Sequence, residues 1–203
     1  MAKSLDVVGD RWALLVVREL LLGPRRFTDL LDGLPGVGTN VLSTRLRDLE
    51  AAGIVERTHV PAPTPAVLYE LTDDGHELKP VLDAFARWGA RRLTRAGADD
   101  AVKPHWFVLS LAATVSHESF DPGTSYLLNI DDQLFTLRVG EHDIVATDAT
   151  HDVTTATITG KLRDFFAASK GDKRAAQRLA IGGDPSMARK LVTALTGAMA
   201  SAP

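Results

Sequence analysis

One segment, TNVLSTRLRDLEAAGIVER (residues 39–57), constrains the fold more than any other part of the chain. With Leu42 as origin and about 100° per residue, Leu46 and Leu49 fall at about 40° and 340°. This spacing predicts a helix with one narrow buried stripe. Gly53 stands where a left-handed residue ends a helix, and the next residues alternate like a strand. The segment therefore predicts a helix that stops abruptly and leads directly into a sheet.

The other side of this helix carries short polar side chains and one arginine. Asn40, Thr44 and Arg47 fall at about 160°, 200° and 140° from Leu42, with Ser43 beside them. Thr39 is the expected N-cap. A DNA major groove, about 12 Å wide, accepts a helix whose outer side chains are short apart from one or two that reach base edges. An ordinary surface helix is the alternative that a single pattern leaves open.

The elements around this helix indicate a winged helix-turn-helix. A strong helix is predicted over Asp10–Gly23, with Asp10 as its N-cap, and a short one follows over Arg26–Gly36. After the third helix, two alternating strands over Ile54–Val60 and Val67–Thr72 predict a β-ribbon. In this layout the third helix lies in the major groove and the second braces it across the backbone.

The predicted interface combines residues that face the groove with basic residues that neighbour it. Residues 1–97 hold 13 basic and 13 acidic residues, and residues 98–203 hold 10 and 13, so binding would depend on a local basic patch. Phosphate contacts carry affinity, whereas base-edge contacts carry sequence choice. The groove-facing residues are Thr39, Asn40, Ser43, Thr44 and Arg47, and the candidate phosphate contacts are Arg25, Arg26, Arg45 and Arg57.

A second apolar stripe predicts self-association. In GHELKPVLDAFARWGARRL (residues 75–93), apolar residues recur at helical spacing, with a kink allowed at Pro80. A helix of this length projecting from a small domain favours a partner helix, and a two-fold protein suits two half-sites one DNA turn apart. Packing against its own domain is the alternative. The predicted dimer interface is Leu78, Val81, Leu82, Phe85 and Trp88.

Along residues 5–93 the chain resembles the HxlR family of bacterial winged-helix transcription regulators. The similar blocks are GDRW…L…REL…GPRRF.DL, LS.RLR.LE..GIV.R and Y.LT..G..L.PVL…..W, in that order. The resemblance implies a homodimer that binds a partly palindromic operator in double-stranded DNA. Many members carry a cysteine before the first helix, which this chain lacks, so thiol sensing is excluded. Its ribbon has Ala66 and Leu68 in TPAVLY, where members often have PPRVEY.

The second half has a different composition and is expected to be a separate domain. TRAGADDAVKP (residues 94–104) reads as a linker, which places the boundary between residues 97 and 98. Beyond it the pattern predicts a helix from Pro104, three strands with turns at Asp131-Asp132 and Gly140-Glu141, and a fourth strand over Thr154–Gly160. A helix, a short strand and a closing helix with Pro185 at its first position complete the order.

Residues 106–199 resemble the sterol-carrier-protein-2-like fold, through TTATITGKLRDFFAASKGD and LAIGGDPSMARKLVTAL. The resemblance implies an α/β (α+β) domain, a sheet covered by helices around an apolar tunnel, with a sensory or assembly role and a small hydrophobic ligand. An ordinary filled core would use the same side chains, and both interpretations remain open. The residues of the proposed pocket are Phe107, Leu111, Phe135, Leu137, Phe165 and Phe166.

Several classes of function are disfavoured by what the chain lacks. It has no cysteine, so disulfides, thiolate catalysis and cysteine-ligated metal are excluded, and a reducing cytoplasm suits it. None of its six histidines pairs with another at metal-binding spacing, and no nucleophile or phosphate-binding motif occurs. No apolar stretch approaches the roughly 20 residues that span a bilayer. We therefore expect no enzyme, no cofactor, no metal and no membrane partner.

The sequence thus predicts a cytoplasmic, homodimeric transcription regulator of two domains. Residues 1–97 form a mainly α winged helix-turn-helix that binds DNA through a recognition helix at residues 39–52, and residues 98–203 form the sterol-carrier-protein-2-like domain that an apolar ligand would occupy. The first alternative is a lipid-binding module whose winged helix docks protein. The second is an enzyme that acts on a hydrophobic substrate through carboxylates without a local motif.

Overall fold

The computed structural model describes residues 2–61, 63, 65–93, 102–149 and 154–198. Its contacts divide the chain into two units, Met1–Leu82 and Asp83–Pro203. The division falls earlier than the predicted boundary at residues 97 and 98. Most of the predicted linker, residues 94–101, lies outside the described residues.

The first unit is a helical cluster closed by a small sheet. Its helices are α1 (Ala2–Val8), α2 (Arg11–Leu20), α3 (Phe27–Gly33), α4 (Thr39–Ala51) and α5 (Asp73–His76), and α6 (Lys79–Leu93) continues into the second unit. The strands are β1 (Arg25–Arg26), β2 (Val55–Val60) and β3 (Ala66–Leu71), in the order β1-β3-β2 with antiparallel pairing. This arrangement is a winged helix-turn-helix, as the element order predicted.

The core of the first unit is aliphatic and joins helices α2, α3 and α4. Asp10 caps α2, since its side chain accepts a hydrogen bond of 2.8 Å from the Trp12 N–H. Glu19 is a polar exception in this interior, 4% exposed, and Arg18 donates two hydrogen bonds to it. A Cβ on Gly33 would stand 2.6 Å from Glu19 Oε2, so a larger residue there would displace the Glu19 carboxylate. The buried aliphatic residues include Val16, Val17, Leu20, Leu30, Leu34, Leu42, Leu46 and Leu49.

The long helix predicted to follow the ribbon is divided in two. Thr72 caps the short α5 by accepting from the Gly75 N–H at 3.1 Å, and α6 begins only at Lys79. Pro80 therefore stands in the first turn of α6, where its missing N–H costs no hydrogen bond, and it does not kink the middle of a helix. Leu78 lies between the two helices and not on the continuous helical stripe that the sequence predicted.

The second unit is an α/β domain built on a five-stranded sheet. The strands are β4 (Ser125–Ile130), β5 (Gln133–Val139), β6 (Ile144–Asp148), β7 (Ala156–Gly160) and β8 (Ala180–Gly183). Their order is β6-β5-β4-β7-β8, with β4 and β7 parallel and every other pair antiparallel. Besides the end of α6, the helices are α7 (Pro104–Thr114), α8 (Leu162–Ser169), α9 (Lys173–Gln177) and α10 (Pro185–Ala198).

One face of this sheet forms the core with the helices. Tyr126 and Leu128 of β4 pair with Leu137 and Phe135 of β5, and all four side chains are buried. Phe107 of α7 meets Phe165 of α8 edge to face, with ring centroids 6.0 Å apart. The strand order and the turn at Asp131-Asp132, where both residues have positive φ, confirm the strands expected here, whereas α9 was not predicted.

Candidate nucleic-acid interface

The position of helix α4 is set by its buried leucine stripe, and the helix ends just before Gly53. Leu42, Leu46 and Leu49 are 2% exposed or less, as the spacing predicted. Gly53 has φ 73°, its N–H donates to the Glu50 carbonyl at 3.0 Å, and the Ile54 N–H donates to the Leu49 carbonyl at 2.9 Å. This pair of bonds is a Schellman motif. It turns the chain directly into β2 and so positions the β-ribbon beside α4.

The start of α4 differs from the prediction by one residue. Gly38 is the N-cap, with extended backbone and no side-chain capping bond, and Thr39 is the first helical residue. The Thr39 hydroxyl therefore does not cap the helix. Because no side chain closes this end, the exposed N–H groups of the first turn stay available to an outside acceptor.

The polar face of α4 is exposed over the first three turns. Asn40, Ser43 and Arg47 are exposed, in agreement with their predicted position opposite the leucines. Thr44 is half-buried, and its hydroxyl donates a hydrogen bond of 2.9 Å to the Asn40 carbonyl. The amide, one hydroxyl and the guanidinium thus remain as polar groups that a partner can reach, while the Thr44 hydroxyl is already engaged.

The four arginines proposed as phosphate contacts have different surroundings. Arg26 is exposed, and its guanidinium forms no ion pair with any residue that the structure describes; the same holds for Arg47. Arg25 is half-buried at the start of the sheet, opposite Tyr69. Arg45 lies 3.0 Å from Asp48 and 3.8 Å from Asp10. The charge of Arg45 is therefore largely balanced by these two carboxylates.

Arg57 joins the ribbon to α4. Its Nε lies 2.6 Å from Oε1 of Glu50 and its Nη2 lies 3.1 Å from Oε2, a two-point ion pair. The guanidinium also lies 5.5 Å from the Tyr69 ring centroid. The hydrogen bonds to Glu50 raise the pKa of Arg57 above its usual value, with a further contribution from Tyr69. His59 lies two residues further along the same face of the ribbon and is exposed.

Sequence reasoning missed three features of this surface. Glu50 was not recognised as the partner of Arg57, because seven residues and a chain reversal separate them. The Arg45–Asp48 pair has the i, i+3 spacing that signals a helical ion pair, so it could have been found. Val41 was not considered, yet it is 41% exposed on α4.

Helix α6 presents an exposed apolar face. Val81, Phe85 and Trp88 recur at i, i+4 and i+7 and are 44%, 56% and 56% exposed. Leu82 is half-buried. Exposure of two large aromatic side chains on one helical face is the feature expected of a surface that a partner covers.

The side chains proposed to line an apolar pocket lie mostly inside the second unit. Phe107, Leu111, Phe135, Leu137 and Phe165 are all 4% exposed or less. Phe166 differs from the prediction that it points inward: it is half-buried, with the Lys170 ammonium 4.3 Å from its ring centroid. Phe166 follows Phe165 on the helix and is rotated from it by about 100°, so Phe165 reaches the core and Phe166 does not.

Two further properties concern only the residues that the structure describes. Within them, His, Asp and Glu side chains form no group of three or more that could hold a metal ion. None of the helices found there has the length and apolar character required to cross a membrane.

The N-terminal part of the chain is similar to known regulators of transcription. Residues 7–96 match the family model described as HxlR-like helix-turn-helix. An HTH-type transcriptional regulator of Synechocystis is 46% identical over 85 residues, which cover 42% of this chain and 63% of that protein, less than two thirds of its length. The HTH-type transcriptional regulators YvaP and YtcD of Bacillus subtilis are 38% and 32% identical, over 80% and 76% of their lengths and 42% and 47% of this chain.

These similarities confirm part of what the sequence predicted. The winged helix-turn-helix and its likeness to the HxlR family are supported. The three relatives are named as regulators of transcription and none as an enzyme, in agreement with the expected absence of catalysis. The family match ends at residue 96, so it leaves residues 97–203 unassigned.

Proposed function

The chain belongs to the HxlR-like helix-turn-helix family, and from this premise we propose that it is a homodimeric, DNA-binding regulator of transcription whose helix α4 enters the major groove. The observation that carries the proposal is the exposed polar face of α4. It has an amide, a hydroxyl and a guanidinium that pairs with none of the described residues, all on one side. Short side chains let the helix backbone approach the bases.

Within the groove the residues take different roles. Arg47 suits a guanine, whose O6 and N7 accept a pair of hydrogen bonds, and Asn40 suits an adenine in the same way. Ser43 is exposed beside them, Thr44 is half-buried on the same face, and Thr39 is exposed in the first turn of the helix, at about 60° from Leu42. The N–H groups at the uncapped start of α4 and the guanidinium of Arg26 serve the phosphates.

Weaker phosphate contacts are proposed for Arg25, Arg45 and Arg57. Arg45 and Arg57 already hold carboxylates, so each offers only its remaining N–H groups to DNA. A guanidinium has five donors in a fixed plane, and one edge stays available when the other binds a carboxylate. The net attraction of these two residues for phosphate is therefore weaker than that of Arg26 and Arg47.

Dimerisation is proposed through α6. The exposed face of Val81, Phe85 and Trp88 would pack against the same face of a second copy, with Leu78 and Leu82 at its margin. A two-fold axis would present two copies of α4 to half-sites about 34 Å apart, one turn of DNA. The operator is then expected to be partly palindromic.

For the second unit we propose the sterol-carrier-protein-2-like domain, residues 98–203, as a site for a small hydrophobic ligand. The support is a five-stranded sheet with one parallel pair and a core rich in phenylalanine. A ligand held there changes DNA affinity only if it favours one spacing of the two reading heads.

The test is fluorescence anisotropy with duplexes tiled across the region upstream of the gene, at two salt concentrations, for wild type and Arg47→Ala. We expect tight binding to one tile, weaker at higher salt, and a loss of roughly 1–3 kcal/mol in the variant if Arg47 binds a guanine. Equal, weak binding to every tile with no effect of Arg47 would overturn the proposal. A winged helix that docks protein would then be the better account.

A further inference from the structure

Val41 is an apolar residue on a face that is otherwise built from polar groups. It is the sole large hydrophobic side chain of α4 that is exposed, at 41%. It falls at about 260° from Leu42, beside the polar face and away from the leucine stripe. Valine has a lower helix propensity than the unbranched residues common on surface helices, so helix formation does not explain its presence.

Thr44 adds a further methyl group next to the two of Val41. The two residues are three apart, so their side chains are neighbours on the helix surface. Thr44 is half-buried and its hydroxyl donates to the Asn40 carbonyl at 2.9 Å, so the γ-methyl is the part of the side chain that this bond does not engage. A residue classed as polar in sequence therefore acts, in this conformation, as a small apolar surface.

Several charged side chains around Val41 and Thr44 already form ion pairs with other residues. Further along the same side of α4, Arg45 and Asp48 pair with each other at 3.0 Å. On the opposite side, Glu50 holds Arg57 of the ribbon. Asp48 is exposed and falls at about 240°, between Val41 and Thr44. Asn40 and Arg47 fall at about 160° and 140°, on the far side of Thr44, and their donors suit base edges. Any occupant must therefore offer an apolar group directly beside hydrogen-bonding groups.

We propose that Val41 and Thr44 form a methyl-reading pair that recognises the C5-methyl group of a thymine in the operator. Thymine carries the one methyl group among the four bases, and it lies in the major groove beside the O4 acceptor. The proposal rests on the proposed function, because it requires α4 to lie in that groove. It makes Val41 a specificity-determining residue, alongside the hydrogen-bonding residues.

The experiment replaces each thymine of the bound tile, one at a time, by deoxyuridine, which lacks only the C5-methyl. Wild-type affinity is measured by fluorescence anisotropy for each duplex. We expect one or two positions per half-site to lose roughly four-fold in affinity, the effect of one buried methyl group. Thymines outside the footprint serve as controls for any change in the duplex itself.

Variants then assign the methyl contact to residues. Val41→Ala should bind the thymine and deoxyuridine duplexes equally at a sensitive position. Thr44→Ser, which keeps the hydroxyl, should reduce the discrimination, whereas Thr44→Val, which keeps the methyl, should retain it. Arg47→Ala should bind more weakly but preserve the ratio, and circular dichroism verifies that each variant is folded.

The possible outcomes test the methyl-reading pair separately from the proposed DNA-binding function. Specific binding that no deoxyuridine weakens, or a Val41→Ala protein with the full wild-type ratio, overturns the methyl-reading pair and leaves the DNA-binding regulator intact. If no duplex is bound specifically, the proposed function fails, and the methyl-reading pair fails with it. Loss of discrimination in Val41→Ala and Thr44→Ser, with Thr44→Val and Arg47→Ala unaffected, supports it.

Discussion

Arg57 of strand β2 and Glu50 of helix α4 form a two-point ion pair, with N–O distances of 2.6 and 3.1 Å. The pair connects the ribbon to α4 across the turn at Gly53. Because the Arg57 side chain is 47% exposed, we expect the pair to add little to the free energy of unfolding. Its expected effect is electrostatic: a carboxylate at the edge of the proposed DNA-binding face balances one of few nearby cations.

Glu50→Gln is expected to strengthen the salt dependence of DNA binding. The substitution removes a negative charge and leaves the Arg57 charge unbalanced, so one more phosphate can be neutralised. The slope of log K against log salt should become steeper by about 0.9. The measurement is anisotropy at four or five salt concentrations on one duplex.

The matched control for this prediction is Glu56→Gln. Glu56 precedes Arg57 on the same strand and points to the other face of the ribbon, where it lies opposite Glu70. The Glu56→Gln substitution also removes one negative charge, from β2 and not from α4, without releasing Arg57. Parallel salt plots for wild type and Glu50→Gln would contradict the role assigned to the pair.

Gly53→Ala is expected to destabilise the first unit by about 1–2 kcal/mol. Open space surrounds the position, so the cost arises from the backbone, which has φ 73°. A Cβ in this left-handed region meets the following carbonyl. Urea unfolding followed by circular dichroism measures the loss. Gly53→Asn should cost less, because asparagine tolerates this conformation, and equal effects of the two substitutions would contradict the explanation.

The parts of the fold that the sequence predicted depend on neighbours along the chain. The leucine stripe of α4, the stop at Gly53 and the cap at Asp10 each follow from residues within a few positions of one another, and the structure contains all three. The strands of the second unit were similarly visible because turns such as Asp131-Asp132 separate alternating runs.

The parts that the sequence did not predict depend on contacts across the fold. The Glu50–Arg57 pair forms only after the chain reverses at Gly53. The start of α6 was also not predicted. The apolar stripe from Leu78 to Trp88 favoured one continuous helix, whereas Pro80 favoured a helix start, and the helix begins at Lys79. Thr44 looked polar in sequence, and its hydroxyl is turned inward to the Asn40 carbonyl.

Phe85→Glu is expected to convert the proposed dimer to a monomer. Phe85 is 56% exposed in the centre of the α6 apolar face, so a carboxylate there leaves the folded protomer undisturbed but would be buried without a partner in a dimer. Sedimentation velocity over a range of concentrations reports the change. Phe85→Leu keeps the surface apolar and should remain dimeric. A folded Phe85→Glu protein that still sediments as a dimer would place the interface on another surface.

Tyr126 provides a prediction about alkaline pH that concerns the second unit. Its side chain is buried in the sheet core, 1% exposed, and burial raises the pKa of its hydroxyl above the usual 10.0, with smaller contributions from Asp121 and Asp184 that also raise it and one from Thr124 that lowers it. Above pH 10 the unfolded chain therefore loses this proton while the folded chain keeps it. Because the folded state then binds more protons, the free energy of unfolding falls as pH rises. Below pH 10 both states keep the proton and the contribution is constant.

Tyr126→Phe should remove this component of the pH dependence. One proton corresponds to a slope of at most about 1.4 kcal/mol per pH unit, so the difference in free energy of unfolding between variant and wild type should grow in favour of the variant from pH 10 upward. Urea unfolding at pH 8, 10 and 11 measures it, and the lysines and arginines common to both proteins cancel in the comparison. Stability curves that stay parallel from pH 8 to pH 11 would show that the folded protein ionises Tyr126 as easily as the unfolded chain does. The hydroxyl would then have to reach solvent at high pH, and the packing described around β4 would not hold under those conditions.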